Sequence, residues 1–106
     1  MAKYLVMASY TAEGAKGLMK DGGTKRRQAA EQAIKSAGGK LEAFYFAFGA
    51  SDVYVLIDVP DAAAAAAVAM TTTASGAVRV NTTVLITPEE MDEVRNKTVE
   101  YRPPGA

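Results

Sequence analysis

The residues 41–59, LEAFYFAFGASDVYVLIDV, constrain this chain more than any other stretch. Phe44, Tyr45, Phe46 and Phe48 precede Gly49-Ala50-Ser51-Asp52, and Val53, Tyr54, Val55, Ile57 and Val59 follow it. Aromatic and β-branched side chains suit a pleated, half-buried surface, while Gly, Ser and Asp accept turn dihedrals. The segment therefore reads as a β-hairpin. A three-residue loop sets Phe46 opposite Tyr54, and a two-residue loop sets it opposite Val55. We expect the three-residue form, which keeps Asp52 and Phe48 together at the hairpin mouth. The choice matters, because a slip of one residue sends every side chain to the other face.

Both faces of the hairpin are largely apolar. Leu41, Ala43, Tyr45 and Ala47 alternate with Glu42, Phe44, Phe46 and Phe48, whereas a sheet with one wet face alternates apolar with polar. Burying each large side chain is worth roughly 1.5–3 kcal/mol, so the second face also favours cover. One helix layer covers one face only. The other is expected to pack on a second copy, which would hide Phe44, Phe46, Tyr54, Leu56 and Leu85.

A chain of 106 residues is most simply one domain with a modest core. We expect that domain to span residues 1–98, with a Pro- and Gly-containing tail over 99–106. Lys plus Arg and Asp plus Glu both number 12, so the chain lacks the basic footprint that nucleic acid demands. The absence of Cys excludes disulfides and thiol chemistry. The absence of His removes the commonest general base and transition-metal ligand. The opening MAKYLVMASY reads as a strand rather than a signal peptide, and no run approaches the ~20 apolar residues of a membrane span. A cytoplasmic protein without membrane or nucleic-acid partners is expected.

Along the chain, residues 3–10 form a first strand, with Tyr4, Val6, Ala8 and Tyr10 on one face. Thr11 caps a helix over 12–20, and Asp21-Gly22-Gly23 interrupts it. Thr24 is expected to cap a second segment over 25–37, whose stripe is Ala29, Ala30, Ala33, Ile34 and Ala37. Gly38-Gly39 ends it. After the hairpin, Asp61 caps a helix to about residue 74, and its alanine run offers a smooth surface for close approach to a sheet. Gly76 stops it. Residues 77–86 form the fourth strand, with Arg79, Asn81, Thr83 and Leu85 on the open face. Thr87-Pro88-Glu89-Glu90 carries a capping box for a last helix to about residue 97. The tail either docks on a neighbouring subunit or stays loose.

This order, with right-handed crossovers, specifies an α+β ferredoxin-like βαββαβ sandwich: a four-stranded antiparallel sheet with helices on one face. The apolar second face extends it to a dimeric α+β barrel.

The segments AKYLVMASYTAEGAKGL, GGKLEAFYFAFG, DVYVLIDVPD and SGAVRVNTTVLITPEEMDE together resemble the GYD-domain proteins over roughly residues 2–95. The resemblance implies a small bacterial protein of the dimeric α/β-barrel superfamily, a family without a well-established general activity. The Gly-Tyr-Asp signature is altered here: Ala50-Ser51 separate Gly49 from Asp52, and the tyrosine is missing. The wider superfamily includes cofactor-free monooxygenases, isomerases, haem enzymes and effector domains of regulators, which are associations of fold rather than of activity.

Three sets of residues are candidates for a site. Gly49 and Asp52 read first as a turn pair and second as an acid, base or ligand anchor at a cleft mouth. Thr24, Lys25, Arg26 and Arg27 at a helix start read as a solvated basic face or as an anion site. Tyr54, Arg79, Asn81 and Thr83, with Ser9, read as hydrogen-bonding groups across a subunit interface or as the lining of a pocket. Tyr4, Tyr10 and Tyr45 read as core or rim aromatics. No cofactor is expected, and no spaced carboxylate cluster supports a metal. The leading function is a homo-oligomeric small-molecule-binding or accessory protein, taking a small hydrophobic or anionic ligand. The alternative is a cofactor-independent enzyme, of monooxygenase or isomerase type, on a small hydrophobic substrate, with Asp52, Tyr54 or Arg79 supplying proton transfer and charge stabilisation.

Overall fold

A computed structural model describes residues 1–106. The elements run β1 (Ala2–Tyr10), α1 (Ala12–Asp21), α2 (Gly23–Ser36), β2 (Lys40–Phe46), β3 (Val53–Val59), α3 (Ala62–Ala74), β4 (Val78–Leu85) and α4 (Pro88–Asn96). The strands pair antiparallel in the order β2-β3-β1-β4. This is the ferredoxin-like α+β fold that the sequence pattern specifies. No helix is long and apolar enough to cross a membrane.

Local chemistry sets most of the boundaries. The Thr11 hydroxyl accepts from the Gly14 N–H, and the Asp61 carboxylate from the Ala64 N–H at 2.9 Å. Thr87 and Glu90 exchange bonds of 3.1 and 3.0 Å in a complete capping box. Gly38 ends α2 at φ 84°, with the Gly39 N–H returning to the Ile34 carbonyl. The expected cap at Thr24 is a correction. Gly22, at φ 86°, is the break between α1 and α2, and Gly23 already belongs to α2, which has no side-chain cap. Thr24 sits inside the first turn because one left-handed glycine suffices to redirect the chain.

The core lies between the sheet and its helices. Tyr4 and Ala8 of β1 and Val53, Val55, Ile57 and Val59 of β3 meet Ile34 of α2 and Ala65 of α3. Ile57 and Val59, on a central strand, are fully buried. In α3, Ala64, Ala65, Val68, Ala69 and Thr72 are buried or half-buried, and the remaining alanines of the run are exposed.

The hairpin differs from expectation. Phe46 pairs with Val53 and Tyr45 with Tyr54, and the Ala47 N–H donates to the Asp52 carbonyl at 2.8 Å, leaving a four-residue loop. A register shift between Leu41 and Ala43 adds a bulge at Glu42, so Leu41, Phe44 and Phe46 all share the helix face. Phe44 and Phe46 therefore do not belong to the open face. Their rings meet edge to face with centroids 5.2 Å apart, beneath the helices.

The open face is a set of cross-strand rows. Tyr45, Tyr54, Met7 and Asn81 form one, and Ala43, Leu56, Leu5 and Thr83 the next. Ser9 and Arg79 flank them at one end, and Lys3, Asp58, Lys40 and Leu85 at the other. An apolar centre with a charged rim is how a protein–protein interface is composed. The chain exposes 7656 Å², against about 5,700 Å² for a folded monomer of its mass. Its radius of gyration is 16.8 Å, against about 13 Å for a compact chain of this length. Two features contribute to the excess: the uncovered sheet face, and α4 with the tail, whose residues are all exposed.

Candidate functional site

On α2, Arg26, Ala30, Ala33 and Ile34 recur at i, i+4, i+7 and i+8 and share the face turned to the sheet. Lys25 and Arg27 lie about 100° to either side of Arg26 and are exposed. Across from them, α3 presents Val68 and Thr72. Alanine is too short to fill the space between two helices laid on a sheet, so a narrow apolar slot of about 90 Å³ remains. Val6, Val55, Phe44 and Val80 line its floor and walls. The slot opens into a groove of about 470 Å³, and the two share Tyr10, Arg26, Ala30, Ala33, Thr72 and Val78.

Arg26 is the one charged residue of the slot. It is half-buried, and its guanidinium makes no hydrogen bond or ion pair within the chain. Glu13 and Asp21 line the outer groove, but neither comes within ion-pairing distance of it. A partly desolvated guanidinium beside apolar walls binds an anion more strongly than one in open water, because the local dielectric is lower. Tyr10 lines both the slot and the groove, and its hydroxyl has no partner inside the chain. Its backbone is fixed by Asp52, whose Oδ2 accepts from the Tyr10 N–H at 2.8 Å.

The sequence candidates fall into separate places. Asp52 lies against β1: its N–H donates to the Ala8 carbonyl at 2.9 Å while its carboxylate holds Tyr10. The carboxylate bonds to the neighbouring strand rather than to amides of the Gly49–Asp52 turn. Gly49 is exposed and does not adopt positive φ. The basic set divides, with Arg26 in the cleft and Lys25 and Arg27 outside. Tyr54, Arg79, Asn81 and Thr83 do share the open face with Ser9, but they are on the opposite side of the sheet from Arg26. Tyr10 and Thr72 were not among the ligand candidates. The spacing of Arg26 to Ala30 and Ala33 is the signal that places a charge on an apolar helix stripe.

At the far end of the open face, Lys3 Nζ bridges Glu42 Oε1 at 2.6 Å and Asp58 Oδ2 at 3.3 Å. The hydrogen bond to Glu42, and behind it Asp58, hold the Lys3 ammonium above its ordinary pKa of 10.5. Asp58 Oδ1 is buried without a partner. No group of three or more acidic side chains is placed to hold a metal ion.

No curated protein and no solved structure matches this chain. A family model, the GYD domain, matches residues 4–94, from the first core tyrosine of β1 to Val94 in α4. That span takes in all of the sheet but the first two residues of β1, all three helices that cover it and both walls of the Arg26 cleft, and the chain belongs to the GYD domain family.

Proposed function

We propose that this GYD-domain chain is a homodimeric small-molecule-binding or accessory protein, whose sheet uses one face for a ligand and the other for a second copy. The observation that carries the ligand half is Arg26, an unpaired, half-buried guanidinium at the mouth of an apolar slot. The ligand it fits is a small amphipathic anion: a carboxylate at Arg26 and a short apolar body along Ala30, Ala33 and Val68. The slot and groove together suit a molecule of few heavy atoms rather than a large cofactor. The open face supports the dimer half. The whole chain exposes about 2,000 Å² more than a compact monomer, and this face is one part of that excess, against the roughly 800 Å² per partner that a stable interface buries.

The reading is tested by thermal shift with straight-chain monocarboxylates of four to eight carbons and with the matching alcohols. The acids should raise the melting temperature and the alcohols should not, and Arg26→Gln should abolish the difference. Equal effects of acid and alcohol in the wild type would contradict the assignment. A second reading, a cofactor-independent enzyme, is favoured by one observation: the free Tyr10 hydroxyl lines the same cleft as Arg26. There Tyr10 would move a proton and Arg26 stabilise developing negative charge. Asp52, Tyr54 and Arg79 do not line that slot.

A further inference from the structure

Helix α4 is nine residues long and buries none of them. Isolated helices shorter than about 12–15 residues are marginal in water, and a capping box at one end does not change that class of behaviour. Met91 and Val94, one turn apart, are each 53 % exposed, and Val99 and Tyr101 beyond them are more exposed still. A formed, amphipathic and unpacked helix calls for a surface to lie on.

The same chain offers an unfilled apolar groove. Leu18 and Met19 of α1 face Phe46 and Phe48 of the hairpin across a space of about 480 Å³. Gly23 keeps it open, since a Cβ there would stand 2.9 Å from the Phe46 ring. Met19 is 85 % exposed and Phe48 fully so. Lys20, in the last turn of α1, and Lys25, in the first turn of α2, stand exposed beside the groove, with Asp21 between them, while Asp52 is the one charged residue that lines it. Charge is also uneven between the two helices. In α4, Glu89, Glu90, Asp92 and Glu93 stand against Arg95 alone. In α2, Lys25, Arg26, Arg27 and Lys35 stand against Glu31 alone.

An arm cannot reach the groove of its own subunit. α4 leaves the sheet beside Lys3, which pairs with Leu85, whereas the groove lies past Ala8 and Tyr10 at the other end of β1. Nine residues of strand separate the two ends by about 30 Å. In a face-to-face pair whose two-fold axis crosses the strands, the Leu85 end of one subunit comes over the hairpin end of the other.

We propose that α4 is an exchanged arm: in the dimer it lies in the Met19–Phe48 groove of a second copy. Met91 and Val94 enter the groove, and the acidic side chains face Lys20 and Lys25. This rests on the dimer proposed above and adds a contact that the sheet interface does not require.

The chain has no cysteine, which makes the test direct. Val94→Cys and Met19→Cys proteins, mixed and mildly oxidised, should yield a covalent dimer containing one of each, whereas Val94→Cys mixed with Lys40→Cys should not. In wild-type protein, α4 amides should exchange hydrogen at least about tenfold slower than in a free peptide, and lose that protection on dilution to monomer. A dimer whose α4 amides exchange at free-peptide rates, with no mixed disulfide, overturns the arm and leaves the sheet interface standing. Protection that persists in a monomer places α4 on its own subunit and overturns the exchange. A chain that stays monomeric at all concentrations overturns both the arm and the dimer beneath it.

Discussion

The Asp52 carboxylate continues a ladder that the backbone has abandoned: its Oδ2 takes the Tyr10 N–H at 2.8 Å where β3 has already turned away from β1. The residue just before β3 thereby holds the last residue of β1, and through it the aromatic ring that lines the cleft. A position that reads as turn chemistry in the sequence is a link between the hairpin and the cleft wall.

That link predicts a graded response. Asp52→Asn keeps an acceptor for the Tyr10 amide, and Asp52→Ala leaves the amide without one, at a cost of about 1–2 kcal/mol. Denaturant melts should place Asn near wild type and Ala clearly below it. If Asn keeps full stability yet loses binding of a carboxylate probe, Asp52 is a ligand group and the structural assignment fails.

A second pair of variants tests the approach of α1 to the start of β4. A Cβ at Gly14 would overlap the carbonyl oxygen of Ala77, a backbone atom that cannot swing aside. Gly14→Ala should destabilise by about 1–3 kcal/mol. Gly17, on the same helix, has open space where its Cβ would go, so Gly17→Ala should stabilise by up to about 1 kcal/mol. Unfolding curves giving the two changes the same sign would refute the close packing.

Much of the architecture was legible in the sequence because short-range chemistry wrote it. Thr11, Asp61 and Thr87 cap where expected, and β1, β3 and β4 alternate with the expected parity. β2 was the exception for a definite reason. Its residues are apolar on both parities, so alternation carries no information about facing, and the Glu42 bulge then shifts the register. Phe44 and Phe46 were placed on the wrong side because the loop has four residues rather than three, which moves Phe46 from Tyr54 to Val53. The cleft was hidden for another reason. Lys25, Arg26 and Arg27 read as one cluster along the chain, and only the helical period separates Arg26 from its neighbours. Tyr10 and Thr72 come to Arg26 through tertiary packing, which no local pattern encodes.

The Lys3 bridge predicts a dependence on pH. Its folded pKa is raised above the ordinary value of 10.5, so its contribution is complete below that value and is lost as pH climbs through the folded pKa. The difference in melting temperature between wild type and Lys3→Gln should be constant from neutrality to about pH 9, then shrink at more alkaline pH. Because the pair is partly exposed, the difference should be small and should fall with added salt. A difference that grows with alkalinity would contradict the bridge.

The central claim is that the two faces of one sheet have different partners, and sedimentation equilibrium at micromolar concentration tests it most directly. Wild-type chain should sediment as a dimer, at twice the 11.1 kDa subunit mass. Leu56→Glu, which sets a carboxylate in the middle of the Ala43–Leu56–Leu5–Thr83 row without touching the helix face, should sediment as a folded monomer. A wild-type chain that remains a stable, soluble monomer would contradict the account.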